Sequence, residues 1–143
     1  MDLKKLTQYT KDIKLLYVED NLEARESTLE LLSQFFDDIT IAVNGAEGYE
    51  KFIENKDKLD LVITDISMPK LSGIDMIYKI RDTQSEIPVI IFSALEDRDN
   101  HINSVKLNIS FYLNKPIILN RFKAIITKVI KKILIAKIHE EFK

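Results

Sequence analysis

The chain has 143 residues, 45% hydrophobic and 31% charged, with no cysteine and a formal net charge of −2. This favours one soluble globular domain with a real core, gives no electrostatic footprint for nucleic acid or an anionic membrane, and excludes disulfides, thiolate metal sites and thiol nucleophiles. The N-terminal MDLKKLTQYTKDIK lacks the apolar core of a signal peptide, no run approaches the ~20 residues that span a bilayer, and the expected location is cytoplasmic.

Hydrophobic periodicity alternates along the chain. Residues 1–12 have Leu3, Leu6 and Tyr9 at the spacing of a short helix that touches the domain. Leu15 to Val18 is a short buried strand ending in Glu19-Asp20. Asn21 caps a helix whose apolar positions are Leu22, Leu29, Leu32, Phe35 and Phe36. A β-branched strand over Ile39 to Val43 is followed by the turn Asn44-Gly45 and a helix with Tyr49, Phe52 and Ile53 on one side. Leu61 to Thr64 is the third strand; Ser72 and Asp75 form a capping pair for a helix holding Met76, Ile77 and Ile80. Pro88 introduces a fourth strand, Val89 to Phe92, and a polar helix from about Glu96 has Ile102 and Val105 as apolar anchors. Phe111 to Leu113 is a fifth strand, and a long helix starts near Leu119.

Strands rich in Val, Ile and Leu, alternating with helices, predict an α/β fold with a five-stranded parallel sheet covered on both faces. Ligands of such open sheets bind outside the carboxyl ends of the strands, so the residues that follow each strand matter most. They are Glu19-Asp20, Asp65, Ser93 and Lys115-Pro116, with only turn chemistry after the second strand. Three converging carboxylates repel unless a counter-charge is present. A hard divalent cation held by oxygen ligands supplies one, which suits Mg²⁺, and Lys115 supplies another. A carboxylate nucleophile, a metal and a cationic clamp are the parts that phosphoryl transfer needs.

This set, Glu19-Asp20, Asp65 within TDISMPKLSG, Ser93-Ala94 and Lys115-Pro116, resembles the receiver domain of two-component response regulators. The resemblance runs from about Lys14 to about Ile133, with residues 1–13 and 134–143 as extensions. It implies a doubly wound flavodoxin-like fold with strand order 2-1-3-4-5. It also implies that Asp65 accepts a phosphoryl group from a phosphohistidine of a sensor histidine kinase or phosphotransfer protein. Mg²⁺ would be bound by Asp20, Asp65, the backbone carbonyl of Ser67 and, through water, Glu19. Lys115 would pair with a phosphoryl oxygen, Pro116 would follow a cis peptide, and Ser93 with Tyr112 would form the conformational switch. The chain would catalyse only its own phosphorylation and dephosphorylation, with Ser67 and Leu95 setting a slow to intermediate loss of the phosphoryl group.

Several residues admit a plainer reading. Ser93 with Glu96 is also an S-x-x-E capping box, Glu19-Asp20 suits a helix N-terminus, and Tyr112 beside Phe111 is an ordinary strand aromatic. His101 and His139 read as solvated helix residues, and Asn44-Gly45-x-x-Gly48 is not a dinucleotide fingerprint. A phosphatase of the haloacid-dehalogenase type also uses a strand-end Asp with Mg²⁺ and Lys, but wants a second Asp where Ser67 stands. An unphosphorylated interaction module is the other rival, disfavoured by the complete acidic, hydroxyl and lysine set. In the last helix Phe122, Ile125, Ile126, Val129, Ile130 and Ile133 suffice to pack on the sheet. The apolar turn Ile133 to Ala136 exceeds that need: it reads as a frayed end, or as a helix that pairs with another copy or leads into an output domain, and a homodimer through the fifth strand and the last helix is expected.

Overall fold

The computed structural model describes residues 2–66, 68, 70–94, 109 and 111–142. Helix α1 (Leu3–Thr10) leads into strand β1 (Lys14–Val18), then α2 (Leu22–Leu32), β2 (Asp38–Ala42), α3 (Gly45–Glu54), β3 (Leu61–Asp65) and α4 (Gly73–Asp82). Strands β4 (Val89–Ser93) and β5 (Phe111–Asn114) follow, and helix α5 (Leu119–Glu141) closes the chain. The expected helix near Glu96, with Ile102 and Val105, lies outside the described residues.

All strand pairs are parallel, as the apolar strands predict, and the order is β2-β1-β3-β4-β5, the one the family resemblance implies. Alternation of side chains along each strand splits the core into two layers. Leu15, Tyr17, Ile63, Ile90 and Phe92 pack with Leu32, Phe122, Ile126 and Val129 on one face. Leu16, Val18, Val62 and Ile91 pack with Phe52, Met76, Ile77 and Ile80 on the other. Burial on both faces is why these strands show little hydrophobic alternation in sequence.

The caps follow from residue chemistry. Asn21, Asn44 and Ser72 each accept a backbone N–H from the third residue on, Ala24, Glu47 and Asp75 respectively. The second strand is displaced by one residue from Ile39–Val43, because β1 ends at Val18 opposite Ala42 and leaves Val43 without a ladder. Helix α2 stops at Leu32, and Phe35 and Phe36 are buried in the tight turns beyond it. Leu22, Ile53 and Tyr9, expected on packed faces, are largely exposed. Leu22 is the first residue of α2, in a turn that starts beyond the carboxyl end of β1.

Helix α1 is part of the core. Leu6 is fully buried, and the buried Thr10 hydroxyl donates to the Phe35 carbonyl. At the other end, α5 buries Phe122, Ile126, Val129, Ile130 and Ile133, as their spacing predicts. Beyond them Leu134, Ile135, Ile138 and Phe142 face outward, while Lys137 Nζ lies 3.5 Å from Asp60 Oδ1.

Candidate functional site

The carboxyl ends of β1, β3, β4 and β5 lie along one edge of the sheet. Asp65 and Ser93 are the last residues of their strands rather than the first beyond them: Asp65 pairs with Phe92 and Ser93 with Asn114. Both side chains therefore leave from backbone held by the ladder, the rigid support that a reacting group needs. Lys115 follows β5 directly, its N–H donating to the Ser93 carbonyl at 2.8 Å, and its peptide bond to Pro116 is cis, as expected.

Oxygens of Glu19, Asp20 and Asp65 all fall within 4.8 Å of one another. Glu19 is only 2% exposed, Asp65 7%, and Asp20 lies open to solvent. Lys115 Nζ bridges the two buried carboxylates, 3.0 Å from Glu19 Oε1 and 3.1 Å from Asp65 Oδ1. The Asn21 N–H reaches Glu19 Oε2 at 3.4 Å. Burial pushes both the Glu19 and Asp65 carboxyls above their ordinary range, against the pull of Lys115. Burial pulls on the Lys115 ammonium in the opposite direction, but its bond to Glu19 and the two carboxylates outweigh that and raise it.

Among the described residues, these three carboxylates and the Lys115 ammonium that contacts them sum to a formal excess of two negative charges, −3 plus +1. An octahedral ion with bonds of ~2.1 Å sets its ligand oxygens about 3 to 4 Å apart. An all-oxygen cluster of this width and charge fits Mg²⁺, with exposed Asp20 at the open side. The Ser67 carbonyl expected beside it lies outside the described residues, as does Leu95.

Ser93 is fully buried, and among the described residues its Oγ has no hydrogen-bond partner. A buried hydroxyl left so costs about 1–3 kcal/mol, which a ligand oxygen arriving at this edge would recover. Tyr112 is half-buried, pairs with Ile91 on β4 and packs against the second core layer.

Two contributors escaped the sequence reading. Arg25, one turn into α2, donates to the carbonyls of Glu19 (3.0 Å) and Asp20 (3.4 Å) and so braces the turn that carries the acidic pair. Gly73 donates its N–H to the Ile66 carbonyl at 2.8 Å, and a Cβ there would lie 2.0 Å from the Asp65 carbonyl oxygen. An arginine one turn beyond an acidic pair is a usable signal for the first. For the second there is only a glycine after a cap, a common pattern.

The family model described as the response regulator receiver domain matches residues 15–127. Chemotaxis protein CheY1 of Helicobacter pylori is 32% identical over 107 residues, covering 73% of this chain and 86% of that protein. Hybrid signal transduction histidine kinase D of Dictyostelium discoideum is 36% identical over 104 residues, covering 71% of this chain and 6% of that protein. The chain thus spans nearly all of one relative and a small part of another. The crystal structure of a response regulator receiver domain protein from Clostridium thermocellum superposes with a TM-score of 0.77 and 31% identity, covering 84% of this chain and 95% of that one.

Proposed function

The chain belongs to the response regulator receiver domain family, and on that premise we propose that Asp65 accepts a phosphoryl group from the phosphohistidine of a sensor histidine kinase or phosphotransfer protein. The observation that carries this reading is the Asp65 carboxylate at the end of β3, 3.1 Å from Lys115 and clustered with Glu19 and Asp20. Asp20 and Asp65 would hold Mg²⁺ in this reading, with Glu19 acting through water and Ser67 offering its carbonyl. When bound, Mg²⁺ supplies the charge neutralisation that lets an anionic phosphoryl group approach an acidic edge.

Lys115 occupies Asp65 Oδ1 and leaves Oδ2 for attack. As the new P–O bond forms, the P–N bond of the donor breaks and the imidazole departs with its electron pair. Lys115 then holds one phosphoryl oxygen, and the Ser93 hydroxyl donates to another. Ser93 and Tyr112 follow the phosphoryl group inward and change the face formed by β4 and β5, which is the output signal.

The chain acts in a cytoplasmic phosphorelay, alone or as the receiver part of a larger protein, and turns over no other substrate. Residues 14–133 make up the receiver in this reading, with 1–13 and 134–143 as extensions. The outward Leu134, Ile135 and Ile138 on α5 support a homodimer through β5 and that helix; a monomer mass at high concentration, with and without beryllofluoride, would remove it. An aspartyl phosphate lasting minutes or more is expected from Ser67 and Leu95, and decay within seconds would contradict it.

Acetyl phosphate with Mg²⁺, read by intact mass, tests the central step. One phosphoryl group should be added to the wild type and none to Asp65→Ala. Unchanged wild-type mass, or modification that persists in the variant, refutes the assignment.

A further inference from the structure

We propose that Gly45 is a positioning residue for the chemistry at Asp65, acting through a backbone clamp on the loop after β3; this rests on Asp65 being the phospho-acceptor. Two backbone hydrogen bonds hold the ends of that loop. The Gly73 N–H donates to the Ile66 carbonyl at 2.8 Å, and the Gly45 N–H donates to the Leu71 carbonyl at 3.1 Å. Both are approaches that a side chain would block. A Cβ on Gly73 would sit 2.0 Å from the Asp65 carbonyl oxygen. A Cβ on Gly45 would sit 2.1 Å from the Leu71 carbonyl oxygen and 2.7 Å from its carbon. The obstructing atoms are backbone, so no rotamer change relieves either clash.

Gly45 belongs to a different βα unit from the loop it holds. It is the buried first residue of α3, behind the Asn44 cap, whose side chain accepts the Glu47 N–H at 2.8 Å. Leu71 follows Lys70, which lies in the left-handed region at φ 68°, a conformation that L-residues resist. The turn is thus held by its contacts rather than by its own preference. The chain of contacts runs from Gly45 to Leu71, through Ser72 to Gly73, and from Gly73 to Ile66 and Asp65. A shift at the Gly45 end moves the backbone that aims the acceptor carboxylate.

Gly48, in the same helix, separates positioning from stability. A Cβ there would meet the Met76 Sδ at 2.6 Å and Val18 Cγ2 at 3.0 Å, side-chain atoms that can give way, whereas the Cβ of Gly45 meets the backbone of the loop. In the full chain, Gly45→Ala and Gly48→Ala should both lower the Tm. Gly45→Ala should also weaken Mg²⁺ binding, titrated by NMR without phosphodonor, and slow acetyl phosphate incorporation at saturating Mg²⁺, each by about tenfold. Gly48→Ala should leave both within about twofold of wild type, well inside the ~100-fold that a 1 Å misplacement can cost.

Should Gly45→Ala fail to fold, amide exchange in the wild type decides. Coupling is reciprocal, so Mg²⁺ should slow exchange of the Gly45 amide more than that of the Gly48 amide, which bonds within α3 to the Asn44 carbonyl. A Gly45→Ala variant with wild-type affinity and rate, or a Gly45 amide indifferent to Mg²⁺ in a wild type that binds it, overturns the proposal. A wild type that neither binds Mg²⁺ nor takes up phosphoryl overturns the Asp65 reading instead, and this proposal with it.

Discussion

Replacing Lys115 by Met removes the ammonium that bridges the buried Glu19 and Asp65 carboxylates. Its Nζ lies 3.0 Å from Glu19 Oε1 and 3.1 Å from Asp65 Oδ1, with the Lys115 side chain 32% exposed against 2% and 10% for its partners. At an effective dielectric of about 20, each contact is worth roughly 5 kcal/mol in Coulomb terms. Solvent reaching the lysine screens part of that, and the carboxyls can escape the rest by taking up protons. The net loss at pH 8 should be about 3 kcal/mol, the lower end for breaking a buried pair.

The pH dependence has a defined sign. Glu19 and Asp65 already titrate above their ordinary range because of burial, with Lys115 pulling the other way. Without Lys115 they rise further, so the folded variant binds more protons than its unfolded chain from about pH 4 upward. Its stability then falls as pH rises, and the gap to wild type shrinks to about 1 kcal/mol at pH 5. Urea unfolding followed by far-UV circular dichroism, with chelator present, measures this at both pH values. A gap equal at pH 5 and pH 8, or no gap at pH 8, refutes the argument.

The same burial makes metal-free Asp65→Asn more stable than wild type at pH 8. A carboxyl raised in the folded state costs stability above its folded pKa and none below its unfolded one near 3.9. The gain, about 1 kcal/mol or ~3 °C in Tm, should vanish toward pH 4; a lower Tm at pH 8 contradicts it. Gly73→Ala must move the Asp65 carbonyl from 2.0 Å to an ordinary contact beyond 3.4 Å. A stability loss of about 2 kcal/mol and a phosphorylation rate down roughly 100-fold are expected, and a wild-type rate by intact mass would refute the close approach. Leu6→Ala empties a fully buried site between α1 and the rest of the core and should cost about 2–4 kcal/mol in urea unfolding. A cost under about 0.5 kcal/mol, the size of a surface change, would show α1 to be an appendage.

Much of this molecule could be read from local patterns. Apolar runs such as Leu61 to Thr64 mark strands buried on both faces, and Asn21, Asn44 and Ser72 mark helix starts, because a period of 2 or 3.6 and a side-chain cap involve only near neighbours. The acidic, hydroxyl and lysine residues stand out for the same reason: each comes directly after, or ends, an apolar strand.

What neighbours do not decide is distance across the sheet. Lys115 and Glu19 are 96 positions apart, and only parallel pairing through β3 and β4 brings Lys115 onto both Glu19 and Asp65. The same holds for Gly45 against Leu71, for Thr10 against Phe35, and for the exposure of Leu22 and Ile53. Each depends on which element happens to cover a given turn. Composition and periodicity determined that a two-faced parallel sheet carries acids at one edge. The sheet order and its register decided that one ammonium bridges two of them, because charge interactions fall with distance in space and are blind to separation along the chain.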